Sequence, residues 1–93
     1  MAAQGGPTLR RLTLLVRAYC HLCEDMRDAA ASLAANFGWA VEEIDVDCDP
    51  VLDKQWGDRV PVLLAGEREL CHHRFDRARV TAFLLEGGDP KSR

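Results

Sequence analysis

Cys20-His21-Leu22-Cys23 sets two cysteines three positions apart, with a histidine and a leucine between them. Such a pair can be a dithiol that opens and closes a disulfide, one half of a metal site, or an accident in a chain with four cysteines. Its setting decides among these. On a helix, positions three apart share a face at about 5–6 Å in Cβ separation, near enough to bond after small adjustment. If the first sulfur lies at a helix N-terminus, unpaired backbone N–H groups and the helix dipole favour the thiolate, the form that attacks a disulfide. His21 adds positive charge near neutral pH, whereas Glu24 and Asp25 in the first turn stabilise the helix and repel a thiolate. The expected balance is a depressed pKa for Cys20.

Two other groups could do chemistry. Val60-Pro61 falls where a strand begins, and proline there serves either as a trans strand starter or in a cis turn. A cis bond would hold Val60 so that its backbone faces the cysteines and pairs with an extended substrate. Cys71-His72-His73 offers thiolate and imidazole ligands, but no second C-x-x-C or H-x₃₋₅-H pair accompanies it. Strand alternation would also turn His72 away from Cys71 and His73. No metal site is expected, and Cys48 is expected to be a small, partly buried residue.

The elements that must position the pair follow from patterning. Arg10 to Val16 is a branched, apolar run suited to a strand covered on both faces. Leu22, Met26, Ala30, Leu33 and Phe37 recur at helical spacing, with Gly38 available as a left-handed stop. Trp39 to Val46 predicts a second strand, and Asp49-Pro50 a cap and first turn of a short helix ending at Gly57. Val60 to Leu64 and Arg68 to His73 predict a hairpin turning at Gly66-Glu67. Phe75 and Val80 flank Asp76 like a hydrophobic staple, opening a last helix that Gly87-Gly88 ends. The result is an α/β fold of order βαβαββα, a four-stranded mixed sheet with helices on both faces. The cysteine pair then lies at a strand-to-helix junction of a βαβ unit, which favours redox chemistry over the other two options.

Ninety-three residues suit one domain, expected over 9–86 between disordered tails at 1–8 and 87–93. Apolar residues at 47% and charged residues at 29% argue against disorder and against a membrane protein. The net charge of −3, with arginines scattered among acidic residues, argues against a nucleic-acid partner. The start lacks the order of a secretory signal, and Leu12 to Val16 falls far short of the roughly 18 apolar residues that cross a bilayer. The expectation is a cytoplasmic monomer without a membrane partner, in a compartment where four cysteines do not imply a structural disulfide framework.

Three segments carry a resemblance: Arg17-Ala18-Tyr19-Cys20-His21-Leu22-Cys23, the acidic strand end Ile44-Asp45-Val46-Asp47, and Arg59-Val60-Pro61-Val62-Leu63-Leu64. With them the chain resembles the glutaredoxins of the thioredoxin superfamily, in particular a group of small glutaredoxin-like bacterial proteins. The resemblance implies Cys20 as nucleophile, Cys23 as resolving cysteine and Pro61 as a cis-proline preceded by Val60. It implies substrate contacts at Arg17, Tyr19, His21, Val60 and Pro61. Arg17 stands where glutaredoxins usually have a lysine that helps hold a glutathione carboxylate, and a guanidinium can grip a carboxylate bidentately.

The chain departs from that family at two places. His21-Leu22 replaces the usual proline and tyrosine, and Leu70-Cys71-His72-His73-Arg74-Phe75-Asp76 lacks the paired glycines that let glutathione approach. The leading expectation is a thiol–disulfide oxidoreductase with no bound cofactor, acting on a disulfide-containing protein or on glutathione as co-substrate. The alternatives are a thioredoxin-like binding module without redox turnover and a glutathione-dependent iron–sulfur carrier.

Overall fold

In a computed structural model, residues 10–86 are described, so the tails expected at 1–8 and 87–93 and the stop at Gly87-Gly88 lie outside the described residues. The elements run β1 (Arg11–Val16), α1 (His21–Ala35), β2 (Ala40–Asp45), α2 (Pro50–Trp56), β3 (Val62–Ala65), β4 (Arg68–His72) and α3 (Arg77–Leu85). Single 3-10 turns, Val46–Cys48 and Gly57–Arg59, flank α2. This is the βαβαββα order that the patterning predicts.

The sheet order is β2-β1-β3-β4. The strands β1 and β2 pair in parallel from Arg11 opposite Ala40 to Val16 opposite Asp45. Both other pairings, β1 with β3 and β3 with β4, are antiparallel. The central strands are covered on both faces, which is why β1 reads as a continuous apolar run. Leu12, Leu14, Val16, Leu63 and Ala65 face α1 and α3 in the larger core, while Leu15, Val62 and Leu64 face Leu52 and Trp56 of α2 on the other side.

The apolar stripe of α1 differs from the expected one by a position. Cys23, Met26, Ala30, Leu33 and Ala34 are buried, and Leu22 is 46% exposed. Positions 22 and 23 both lie about one turn before Met26, but the buried stripe that Ala30, Leu33 and Ala34 complete is centred nearer Cys23, which leaves Leu22 at its edge. Alanine at 29, 30, 31, 34 and 35 sustains the helix, and Gly38 ends it at φ 77° while the Trp39 N–H reaches back to the Ala34 carbonyl.

The hairpin carries a bulge. Leu63 pairs with Cys71 and Leu64 with Glu69, so Leu70 is an extra residue on β4. Two successive side chains, Leu70 and Cys71, thereby enter the same core. Cys48, expected to be partly buried, is exposed, because it closes a 3-10 turn whose buried residue is Val46.

Candidate active site

The pair at 20 and 23 is placed by the N-cap of α1. Cys20 is the N-cap of α1 in extended conformation, with its carbonyl accepting the Glu24 N–H and its Sγ accepting the Cys23 N–H at 3.1 Å. Its sulfur therefore occupies the place where Ser or Asp usually satisfies the first-turn donors. Cys20 and Cys23 are joined as a disulfide with Cα atoms 5.2 Å apart. The two halves are unequal: Cys20 is half-buried at the rim, and Cys23 has 1% of its surface exposed within the core.

The turn before Cys20 is unusual. Tyr19 has φ 60°, the left-handed region, which costs a residue with a side chain about 1–3 kcal/mol. Its ring is fully exposed and covers nothing, and Leu22, between the two cysteines, is exposed as well. His21 is likewise exposed at the first position of α1.

The opposite wall comes from β3. Leu15 pairs with Val62, so continuing the antiparallel register brings Pro61 beside Val16 and Val60 toward Arg17, at the end of the sheet from which the cysteine loop leaves. The Val60–Pro61 peptide is cis, and Pro61 is fully buried. His73 holds this segment from the neighbouring strand end: its backbone N–H donates to the Pro61 carbonyl at 2.8 Å, and its Nε2–H to the Asp58 carbonyl at 3.2 Å. His73 also adopts φ 64°, which breaks strand alternation. Instead of pointing away from His72, its ring meets the His72 ring edge-on at 4.9 Å. His72 bonds the Glu69 carboxylate through Nδ1. Sequence reasoning had no signal for this strap, since nothing in the residue types marks a left-handed histidine.

Arg17, just beyond β1, is held by the protein's own acids. One terminal nitrogen reaches Asp47 at 2.6 Å, and the other reaches Asp53 at 2.7 Å and the Gly57 carbonyl at 3.3 Å. The hydrogen bond that Arg17 donates to Asp53 leads the causes that raise the pKa of Arg17, and the charges of Asp47, Asp53 and Asp45 add to it. Gly57 has an ordinary helical φ of −53°, so it is not a left-handed stop. Its role is spatial: a Cβ there would collide with the Asp53 carboxylate and come within 2.8 Å of the Arg17 guanidinium. Asp47 lies in the acidic strand end noted in the sequence, whereas Asp53 and Gly57 carried no legible link to Arg17.

Beside the disulfide runs an open groove of about 250 Å³, floored by Leu22, Met26, Ala29 and Phe75, with Asp25 and Arg74 at its edge. A larger depression of about 450 Å³ between α2 and the β3–β4 turn lies on the other face of the sheet; no cysteine lines either hollow, but the smaller one begins at Leu22, between the two cysteines, and includes His73, which holds Pro61, so it is the one adjoining the cysteine pair. Cys71 is buried, and burial pushes its thiol pKa up, which suits a core residue better than a nucleophile. Among the described residues no group of three His, Cys, Asp or Glu side chains could hold a metal ion, and no helix is long and apolar enough to cross a membrane.

Known proteins share this architecture. Residues 11–85 match the family described as Glutaredoxin-like domain (DUF836). An uncharacterized protein of Mycobacterium tuberculosis is 34% identical over 91 residues, covering 89% of this chain and 94% of that protein. A protein of Nitrosomonas europaea solved by NMR superimposes with a TM-score of 0.70 at 34% identity, covering 89% of this chain and 98% of its own. Thioredoxin 1 of Thermosipho africanus shares the fold, with a TM-score of 0.59 at 22% identity over 85% of this chain and 99% of that one. With a cysteine pair at the N-terminus of the first helix and nearly the whole length matched, the chain belongs to the glutaredoxin-like domain family and has the thioredoxin fold.

Proposed function

We propose that the protein is a thiol–disulfide oxidoreductase working through Cys20 and Cys23. The observation that carries the reading is the inequality of the two sulfurs: Cys20 sits at the rim and accepts a first-turn N–H, while Cys23 is enclosed one turn behind it. In the reduced protein the Cys20 thiolate attacks one sulfur of a substrate disulfide. A new S–S bond forms, the substrate's own S–S bond breaks, and the departing thiolate takes a proton from solvent. Cys23, once deprotonated, attacks Cys20 and releases the second substrate thiol, leaving the oxidised Cys20–Cys23 pair. An external dithiol or two monothiols, in a reducing compartment such as the cytoplasm, return the electron pair.

Val60 and Pro61 form the wall against which an extended substrate segment lies, and the exposed Tyr19, His21 and Leu22 contact its flanks. The groove along Met26 and Phe75 can take an apolar side chain next to the substrate cysteine. The test is disulfide-reduction activity in three proteins. Wild type turns over, Cys20→Ser is inactive, and Cys23→Ser accumulates a mixed disulfide on Cys20. Equal activity in Cys20→Ser and wild type would remove the reading.

A further inference from the structure

We infer that the Arg17–Asp47–Asp53 cluster takes the Arg17 guanidinium out of use as a carboxylate clamp, so that the disulfides exchanged are those of polypeptide segments and a glutathione carboxylate gains nothing at Arg17. This rests on the exchange reading above and names its substrate class. A bidentate grip needs two adjacent guanidinium N–H groups aimed at one carboxylate. In Arg17 one terminal nitrogen is committed to Asp47, and the other spends its two hydrogens on Asp53 and the Gly57 carbonyl. Neither edge of the fork still has a free pair that includes that second nitrogen.

The charge balance points the same way. One positive charge in contact with two negative ones leaves a net of −1, and Asp45 adds further negative charge nearby. An arriving carboxylate is repelled, whereas an uncharged peptide backbone is not. Gly57 shows that the cluster is built into the backbone, because the Asp53–Arg17 contact fills the space a side chain at 57 would need. Arg17 is thus a positioning residue. It ties the end of β1, from which the cysteine loop departs, to the 3-10 turn that leads into Val60–Pro61.

The experiment uses Cys23→Ser, which stops at the mixed disulfide, with three probes: oxidised glutathione, its ester with both glycine carboxylates blocked, and a neutral cystine peptide. Mass spectrometry follows formation of the Cys20 adduct. The ester and the peptide are expected to react at least as fast as the free acid. Adding Asp47→Ala and Asp53→Ala frees the guanidinium (Asp47→Asn and Asp53→Asn remove only the charges) and each pair should raise the free-acid rate relative to the ester, the Ala pair about tenfold, on the order of one charge-assisted hydrogen bond. A free acid that reacts faster than the ester in the Cys23→Ser background, with the advantage lost in Arg17→Gln, overturns the inference and leaves the exchange reading standing. An unchanged ratio after the double Asp→Asn substitution also overturns it. Failure of all three probes to modify Cys20 overturns the exchange reading itself, and this inference with it.

Discussion

The Sγ of Cys20 accepts the backbone N–H of Cys23 at 3.1 Å, while Cys23 itself keeps 1% of its surface exposed. One turn of helix therefore gives two chemically identical side chains unlike environments. The outer sulfur faces the donors that stabilise an anion, and the inner one is enclosed in the core.

Helix α1 predicts a sharp contrast between two of its apolar residues. Met26 is fully buried and Leu22 is 46% exposed. Met26→Ala should cost about 2–5 kcal/mol in urea unfolding. Leu22→Ala should stay within about 0.5 kcal/mol of wild type, as surface substitutions do. Any effect of Leu22→Ala is then expected in substrate turnover.

That contrast marks where the sequence was legible. The order of elements along the chain, the hairpin and the helix caps at Asp49 and Asp76 followed from residue types whose local physics is strong: branched runs, Pro after Asp, Gly66 at φ 63° in the hairpin turn. The cysteine pair at the mouth of α1 was legible for the same reason. The phase of the α1 stripe was not, because Leu22 and Cys23 both suit a core and only tertiary packing chooses between them. The partners of Arg17 were illegible as well. A guanidinium's contacts depend on which acids the fold brings near, and Asp53 lies 36 positions away on another element.

Gly57→Ala should reproduce the effect of Asp53→Asn. The added methyl occupies the place of the Asp53 carboxylate, so the Arg17–Asp53 contact must open. Both single substitutions should shift the free-acid to ester rate ratio in the same direction. The double variant should move it no further than Asp53→Asn alone, the non-additivity expected of two changes acting on one contact.

Cys71 supplies a pH dependence. Burial leads the causes that raise its thiol pKa. In the unfolded chain the thiol ionises near pH 8.5, before it does in the folded protein, so above that pH the unfolded state binds fewer protons than the native state. Stability then falls as pH rises from about 8.5 toward the higher folded pKa, and this contribution is constant below it. Urea midpoints measured from pH 7 to 10 should show the decline, and Cys71→Ala should flatten it while lowering stability at pH 7.

The most direct measurement is the alkylation of the fully reduced protein, mapped by mass spectrometry against time. Cys20 should be modified first, at least about tenfold faster than Cys23, with substantial reactivity below the pH at which an ordinary thiol ionises. Modification of Cys23 at the same rate or sooner would contradict the division of labour between the two sulfurs.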